Sequence, residues 1–552
     1  MDKQVWIQQY DPTGNWMLST AIAALPLVVL LGLLITGKAN AWQSAWAGLF
    51  TAAIVSTSVF EMPLELVARA TAVGVVFSLF RIIWLITGAV FLYDIAVETG
   101  QFEVMKASIA GLSGDRRIQA VLVAFSFGAF IEGAAGFGAP VAISAAFLVG
   151  LGFKPFQSAI LCLVANTAPV AWGGLGTPIR TLAAVTSLDV EAISAVSGRI
   201  LPPVSLIIPF WLVTMMCGFR GAWGVAPALA VIGGVFAFVQ WFWSNHIGFE
   251  LVDIASSISS LVAAVVLLKF WKPKHEWHFP DESAATVEAQ KLPIPIIARA
   301  WAPFVILTFM VLIWGIPPVK KFFMENGDFR QPMPGLHKMV AKGEALSGRL
   351  TPDPKKDLED AYLDIVPASS TGTATMIAAL VSGLFLGLKP IRLAIMFGHT
   401  LYRLRPAIAA IFGMLCLGYV TKYSGMDAVL GLAMTRTGSN LYPVFAALLG
   451  WLGVALTGSD TASNVLFGNL QVITADKLGL NRLLMASANT TGGVMGKMID
   501  AQSIVVAAAA TGEHGQEGPI LRAILLHSIA LALIVGGIVW IYAHILPWVV
   551  VV

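Results

Sequence analysis

Apolar runs of membrane-spanning length recur along the whole chain, from residues 17–36 near the beginning to residues 520–552 at the end. A helix of about 20 apolar residues crosses the hydrocarbon core of a bilayer, and these runs lack the alternating pattern of a barrel strand. Charged residues make up only 12% of the sequence, whereas a soluble protein carries about 25%. The sequence therefore predicts an all-α polytopic membrane protein with about 12–14 membrane segments, some of them shorter than a full span.

Two polar stretches interrupt the apolar runs and divide the chain. Residues 272–298 are expected to form an exposed loop, and residues 317–370 form the longest polar insertion. We expect a first membrane half at 1–271 and a second membrane half at 371–552. Between them, a connecting region at 272–370 holds exposed loops and one membrane segment. Neither polar stretch is long enough for a separate soluble domain.

Composition excludes several classes of function. The net charge of +3 is small for 552 residues and the basic residues lie in short loops, which argues against nucleic-acid binding. Cys162, Cys217 and Cys416 lie within apolar runs without metal-ligand or disulfide spacing, so we expect no metal site and no cofactor. A Walker A sequence is missing from the chain, so we do not expect ATP-driven transport by this polypeptide.

The first polar motif, at residues 130–140, places a carboxylate and several glycines among apolar runs. Because an intramembrane carboxylate is costly, Glu132 marks a candidate functional site. Gly136, Gly138 and Pro140 can break a helix and let backbone groups face a cavity, and Gly133 is the first of the hairpin glycines. We interpret the motif as a re-entrant hairpin tip in which Glu132 carries a proton. The alternative is close helix packing at the glycines, with Glu132 reaching to the membrane interface.

The second polar motif, at residues 458–464, combines a carboxylate, hydroxyl groups and an amide in an apolar environment. Gly458 is its hairpin glycine, and Asp460 is the second candidate proton carrier. Ser, Thr, Asp and Asn also favour helix N-caps, so the alternative is a capped helix start at an interfacial loop. The two interpretations overlap, because a helix N-terminus inside the membrane is itself an anion site.

An Asn-Thr pair follows each motif at a similar distance. Asn166 and Thr167 follow the first motif, and Asn489 and Thr490 follow the second, 33 and 31 residues after the first glycine of each. Helix-breaking residues come after both pairs, so an unwound turn is expected there. A lone Asn-Thr pair is usually an interhelical hydrogen bond. Two pairs in matching surroundings indicate a polar site built from an internal repeat, as in many transporters.

Lys497 lies just past the second pair. It could hold a substrate carboxylate, pair with Asp460 or Asp500, or lie at the membrane interface. The candidates for substrate binding are Asn166, Thr167, Ser459, Thr461, Ser463, Asn489, Thr490 and Lys497.

At these residues the chain resembles the bacterial lactate/glycolate permease family, and the similarity covers nearly the whole sequence. The segments that carry it are FIEGAAGFGAPVA (130–142), GLGFKP (150–155), NTAPVA (166–171), GWLGV (450–454), LTGSD (456–460), ANTTGGV (488–494), QSI (502–504) and YDPTGN (10–15). The resemblance implies proton-coupled uptake of L-lactate, with D-lactate and glycolate as related substrates. It also implies a multi-pass protein of the bacterial cytoplasmic (inner) membrane, with a homodimer as a possible assembly.

The paired Asn-Thr motifs also resemble those of carboxylate transporters in the wider ion-transporter superfamily. That resemblance implies two inverted repeats, each with a re-entrant hairpin, and a site that moves with a transport domain. The hairpin tips would be 133–140 and 458–464, and the Asn-Thr pairs would bind substrate or ion. Arg180, Arg403 and Arg405 depart from what we expect of the family, and they leave the identity of the substrate open.

These observations predict a secondary active symporter that moves a small 2-hydroxymonocarboxylate with a proton by alternating access. Glu132 and Asp460 are the proton-coupling candidates, and no catalytic residue is expected. Three alternatives stay open at this point. They are a Na⁺-coupled carboxylate symporter, an intramembrane enzyme using the two carboxyl groups as an acid/base pair, and a channel for organic anions.

Overall fold

The computed structural model describes residues 5–35, 39–134, 139–279, 292–347, 353, 357–513 and 516–550. Gly136 and Gly138, and with them the tip of the first expected hairpin, lie outside the described residues.

Helices build nearly all of the described chain. In the first half they are α1 (Trp16–Ile35), α2 (Ala41–Ser58), α3 (Leu64–Phe77), α4 (Trp84–Glu98), α5 (Gln101–Ala110), α6 (Arg116–Ala120), α7 (Gly128–Ala134), α8 (Ala139–Gly150), α9 (Pro155–Ala165), α10 (Gly173–Thr186), α11 (Val190–Ile200), α12 (Pro202–Gly224), α13 (Ala226–His246) and α14 (Val252–Phe270). The connecting region contains α15 (Ile294–Gly315), α16 (Pro317–Gly327) and α17 (Glu344–Ser347). The second half contains α18 (Thr371–Phe385), α19 (Pro390–Ser424), α20 (Met426–Met434), α21 (Gly438–Thr457), α22 (Asp460–Leu478), α23 (Arg482–Gly496), α24 (Ala501–Thr511) and α25 (Glu517–His544).

Short irregular helical segments connect several of these helices. The π-helical segments are Ser78–Ile83 and Val121–Phe127, and the 3₁₀ segments are Val170–Trp172, Thr435–Thr437, Lys497–Ile499 and Pro547–Val550. Such segments often occur where a helix is strained or functional. Two of them, Val170–Trp172 and Lys497–Ile499, follow the two Asn-Thr pairs.

Ten helical stretches among the described residues are long and apolar enough to cross a membrane. The pair Pro155–Ala165 and Val170–Thr186, bent by 66°, adds an eleventh if it is one broken span, and three shorter apolar helices accompany them. The protein is thus an all-α polytopic membrane protein, as the sequence predicted. The expected number of 12–14 segments includes pieces shorter than a full span, whereas the number ten counts only helices of full spanning length. The two numbers differ for this reason. The inverted relation between the halves stays a prediction.

Burial separates central from peripheral spans. The apolar window of Arg116–Ala134 is fully buried within the protein, whereas only 28% of the window of Ile294–Trp314 is buried. A helix that is covered on all sides can carry a polar group that never meets lipid. Glu132, which lies in the first of these stretches, is therefore in the interior of the helix bundle.

One small strand pair joins the N-terminal segment to the connecting region, and a second pair lies within that region. β1 (Trp6–Ile7) pairs in parallel with β3 (Val340–Ala341), and β2 (Phe329–Pro332) pairs antiparallel with β4 (Tyr362–Ile365). The described part of the polar insertion thus contains the short helices α16 and α17 and the strands β2, β3 and β4 in addition to loops. The division into two halves and a connecting region stays a prediction.

The two halves interlock around the polar motifs. α10 packs on α22 and α24 packs on α8 and α9, so that the segment after each Asn-Thr pair contacts helices of the other half. α11 likewise packs on α23, and Lys497–Ile499 contacts α9. This reciprocal packing brings the polar residues of both halves into one buried region.

Candidate functional site

The second polar motif forms a turn between two helices. α21 ends at Thr457, Gly458 adopts a left-handed conformation with φ of 73°, and α22 begins at Asp460. Glycine adopts this conformation without the steric cost that a side chain brings. Ser459 caps α22, because its side chain accepts a hydrogen bond from the backbone N–H of Ala462 at 3.3 Å. The motif is therefore a capped helix start, and it lies inside the protein rather than at its surface.

Asp460 is buried at the start of α22 and is 3% exposed. Its Oδ2 accepts a hydrogen bond from the Thr490 hydroxyl on α23, whereas its Oδ1 lacks a hydrogen-bond partner among the described residues. Gly493 makes room for the carboxylate, since a Cβ at that position would overlap Oδ1. We expected from the sequence that Asp460 and Thr490 lie in one site. In the structure their side chains are joined by this hydrogen bond.

A chain of buried side-chain hydrogen bonds continues from Thr490. The Asn464 side-chain Nδ2 donates to the Thr490 hydroxyl at 3.1 Å, and Asn489 Nδ2 donates to Asn464 Oδ1 at 2.9 Å. Gln471 Nε2 donates to Asn489 Oδ1 at 3.1 Å, and the Tyr442 hydroxyl donates to Gln471 Oε1 at 2.6 Å. Asn489 is thus engaged on both sides of its amide. Gln471 and Tyr442 were not predicted from the sequence.

The remaining side chains of the second motif occupy different environments. The Ser463 hydroxyl is buried and donates to the Gly450 carbonyl at 3.1 Å. Thr461 is half-buried in the first turn of α22. The Asn464 amide also donates to the Pro178 carbonyl of α10 at 3.2 Å, which links the second motif directly to the first half.

The first Asn-Thr pair lies at a break between helices. α9 ends at Ala165, and Asn166 and Thr167 lie in the turn that follows it. Asn166 is 3% exposed, and both polar atoms of its amide lack a hydrogen-bond partner among the described residues. The Thr167 hydroxyl donates to the Val164 carbonyl at 2.8 Å. The turn expected here is present, and it leaves the Asn166 amide available to a bound group.

The backbone after this turn is wound in the opposite sense. Gly174, Leu175 and Gly176 all have positive φ, and the φ of Leu175 is 57°. A left-handed conformation at a branched residue costs on the order of 1–3 kcal/mol and often occurs at functional sites. The second half differs, because α23 runs unbroken through Asn489 and Thr490 as far as Gly496. The two Asn-Thr pairs therefore do not share the same local structure.

Glu132 lies near the end of α7 and is 4% exposed. Its Oε2 lacks a hydrogen-bond partner among the described residues, and a Cβ on Gly173 would overlap its Oε1. The carboxylate lies beside Asn166 and interacts electrostatically with Lys497 and Asp500 of the second half. Glu132 does not reach out to an interface, and it faces the charged residues at the end of α23.

Lys497 lies between the charged groups of the two halves. Its Nζ is 3.2 Å from Asp500 Oδ2 and donates to the Gly458 carbonyl at 2.7 Å. Asp460 and Glu132 both interact with its charge. Asp500 in turn caps α24, because its Oδ1 accepts from the Ser503 backbone N–H at 2.7 Å. Of the partners that the sequence left open, Lys497 pairs directly with Asp500.

Asp253 is a further buried carboxyl group that the sequence did not single out. It lies in the first turn of α14, is 1% exposed, and has no hydrogen-bond partner for either oxygen among the described residues. It interacts electrostatically with Glu132. The signal was an acidic residue inside an otherwise apolar run, but acidic residues are common in the first turn of a helix.

The family model described as L-lactate permease matches residues 19–546. A glycolate permease of Escherichia coli strain K12 is 42% identical over 557 residues, which cover 98% of each chain. An L-lactate permease of the same strain is also 42% identical and covers 99% of both chains. This chain belongs to the L-lactate permease family. The family is one of membrane transporters, so the protein is a transporter and not an enzyme.

More distant relatives extend the comparison. An L-lactate permease of Bacillus subtilis strain 168 is 41% identical over 98% of this chain and 99% of its own. A crystal structure of the Alcanivorax borkumensis YdaH transporter aligns with 85% of this chain and 86% of its own, with 14% identity and a TM-score of 0.43. Because the sequence relatives are bacterial and the described part of the chain contains ten candidate spans, the permease is a multi-pass protein of the cytoplasmic membrane.

The three arginines that depart from the expected family pattern have separate partners in this permease. Arg180 donates to Glu250 at 3.1 Å and to the Thr371 hydroxyl at 3.0 Å. The exposed Arg403 and Arg405 are engaged locally, Arg403 with Asp94 at 2.6 Å and Arg405 with the Tyr402 ring. Arg180, on α10, comes within a few residues of the left-handed turn, whereas the other two lie on α19.

Proposed function

We propose that this permease takes up L-lactate, and also D-lactate and glycolate, across the cytoplasmic membrane in symport with protons. Relatives of nearly the same length bear the names L-lactate permease and glycolate permease, which supports this substrate class. The observation that carries the proposal is a buried charged cluster to which both halves contribute. Its members are Glu132 from the first half and Asp460, Lys497 and Asp500 from the second.

The cluster suits a small monocarboxylate with a neighbouring hydroxyl group. Lys497 carries the buried positive charge that a carboxylate needs, although it would have to share its Nζ with Asp500. The N-terminus of α22 contributes backbone N–H groups and the positive end of the helix dipole. The Asn166 amide, which lies beside the Glu132 carboxyl group, can donate to a carboxylate and accept from a hydroxyl.

The other predicted contact residues would act around this centre. The Thr167, Ser459 and Ser463 hydroxyls presently bond backbone groups, and the Thr490 hydroxyl bonds Asp460. The Thr167 and Ser459 hydroxyls can each make a second hydrogen bond. The Ser463 and Thr490 hydroxyls already donate one hydrogen bond and accept another, from Asn489 and Asn464 respectively. We propose that Asn166 and Lys497 bind the substrate first and that Thr490 and Asn489 fix the geometry of Asp460 behind it.

Proton coupling follows from the cost of moving charge across the bilayer. Moving an anion across the membrane without an accompanying cation costs or releases about 2.3 kcal/mol per 100 mV of membrane potential, depending on the direction of movement. Protonation of a carboxyl group such as Glu132 or Asp460 would offset the substrate charge, so that the loaded site moves without net charge. Burial of both groups favours their neutral forms in the absence of a cation.

Alternating access requires that the site open to each side in turn. The reciprocal packing of α10 on α22 and of α24 on α8 supports a site built from two repeats. We propose that the helices flanking the two polar motifs and the segments that follow the two Asn-Thr pairs move together as one body that carries the charged cluster.

Uptake by proteoliposomes tests the proposal. Purified permease reconstituted without Na⁺ should accumulate labelled L-lactate above equilibrium when the exterior is acidic, and D-lactate and glycolate should compete. Accumulation driven only by an inward Na⁺ gradient would show that the coupling ion is Na⁺. Equilibration without accumulation under either gradient would indicate a channel for organic anions.

A further inference from the structure

Asp253 is a buried carboxyl group that no described residue stabilises in its ionised form. It is 1% exposed, and neither carboxylate oxygen has a hydrogen-bond partner among the described residues. A buried carboxylate without a partner costs several kcal/mol relative to its neutral form. The neutral, protonated form of Asp253 is therefore the one that fits these surroundings. Asp460 differs from Asp253, because its Oδ2 accepts a hydrogen bond from the Thr490 hydroxyl.

The backbone of α7 lies directly against the first turn of α14. A Cβ built on Gly133 would lie 2.7 Å from Asp253 Cβ and 3.1 Å from the Ile254 backbone nitrogen. The absence of a side chain at Gly133 thus allows α14 to approach the turn that carries Glu132. Two carboxyl groups on segments in such close contact oppose each other's ionisation.

The elements packed against α14 supply few other charges. They are α7, α10, α13 and the segment Val121–Phe127. α7 contributes Glu132, and α10 contributes Arg180, whose guanidinium is bound to Glu250 at 3.1 Å. α13 contributes His246, whose ring meets that of Trp241 edge-on and lies tilted against that of Phe242. Val121–Phe127 contains no titratable side chain.

We propose that Asp253 is a further proton-carrying group of the transport cycle, acting beside the Glu132 carboxyl group. This inference rests on the proposed proton symport. On this proposal the substrate and the proton occupy separate places, with Lys497 and Asn166 binding the substrate and Asp253 holding a proton. Release requires a state in which water reaches Asp253, because only hydration or a cation makes its ionised form tolerable.

The substitution Asp253→Asn tests this assignment because it imitates the protonated side chain. A carrier with a permanently neutral group at this position can move back and forth with substrate bound, so it exchanges internal for external lactate. It cannot release a proton from this position, and the empty carrier therefore cannot return to complete a cycle of net uptake. We expect Asp253→Asn to retain exchange of external labelled lactate for internal lactate within about twofold of the unmodified protein. Net uptake driven by a pH gradient into liposomes that contain no lactate should be lost.

Asp427→Asn is the matched control, since Asp427 is also a buried aspartate but its Oδ2 accepts from the Asn469 amide at 3.2 Å. This control should retain both exchange and accumulation. Asp253→Ser, which also removes the charge and is smaller than aspartate, serves if Asp253→Asn does not yield folded protein.

The outcomes separate this inference from the proposed function. Accumulation by a folded Asp253 variant at the unmodified level would overturn the inference and leave proton symport standing. Loss of both exchange and accumulation in a folded variant would also overturn it, because Asp253 would then be needed for the substrate site itself. Failure of the unmodified protein to respond to a pH gradient would overturn proton symport first.

Discussion

Gly493 is the position at which a single methyl group tests the geometry of the charged cluster. A Cβ at this position of α23 would overlap Asp460 Oδ1 and lie 2.9 Å from Val454 Cγ2. Because α23 is packed between neighbouring helices, its backbone cannot move away from Asp460. The Asp460 carboxylate must therefore rotate away from the new methyl group. Gly493→Ala therefore displaces Asp460 without removing any charge or polar atom.

The size of the effect follows from the contact that is lost. Rotation of Asp460 breaks the hydrogen bond from the Thr490 hydroxyl. A hydrogen bond to a charged group contributes about 1.5–3 kcal/mol. If that free energy stabilises the loaded site, its loss lowers the initial rate of lactate uptake by about 10- to 150-fold at subsaturating substrate.

The assay compares initial rates of uptake in proteoliposomes at equal amounts of folded protein, measured by size-exclusion chromatography. Gly537→Ala is the control, because that glycine of α25 has open space around its Cβ position. The double variant Gly493→Ala with Asp460→Asn should be no worse than Asp460→Asn alone, since the displaced group is already neutralised. Normal uptake by Gly493→Ala, or fully additive losses in the double variant, would refute the reasoning.

Three further perturbations address other contacts. Asp460→Asn should abolish concentrative uptake in proteoliposomes although the protein still inserts, and normal accumulation would count against Asp460 as an essential titrating group. Lys497→Met should lower stability to thermal unfolding in detergent by about 3–5 kcal/mol, because it leaves Asp500 buried without its cation. Adding Asp500→Asn should recover part of that loss, and no recovery would contradict the ion pair. Asp94→Asn removes the surface pair with Arg403 and should change stability by less than about 1 kcal/mol; loss of lactate uptake in this variant would reveal a role beyond that pair.

The sequence predicted the class of fold because membrane-spanning length and polarity can be read along the chain. Glu132 and Asp460 stand out for the same reason, since each is a charge among apolar residues. Asp253 escaped notice because it begins an apolar run, where an acidic residue is an ordinary feature of a helix N-terminus. Its significance depends on Gly133, which lies more than a hundred positions away in the chain and is placed beside it only by packing.

Local sequence also misled in one respect. Gly492 and Gly493 suggested an unwound turn after Asn489, but α23 continues through them. These glycines serve close packing instead, since a Cβ on Gly492 would overlap the Ala447 carbonyl oxygen of α21. Propensity alone cannot distinguish a glycine that breaks a helix from one that lets two backbones approach. Likewise, Tyr442 and Gln471 look ordinary in isolation, and only their pairing makes them part of the polar network.

The reciprocal packing of α10 on α22 and of α24 on α8 has a consequence for biogenesis. When the first half leaves the ribosome, the helices that cover Asn166 and the residues facing Glu132 have not yet been made. The nascent first half must therefore shelter polar groups in lipid or remain near the insertion machinery until α22 and α24 arrive. A chain cut between α14 and α15 should regain activity only when both fragments are synthesised in the same cell.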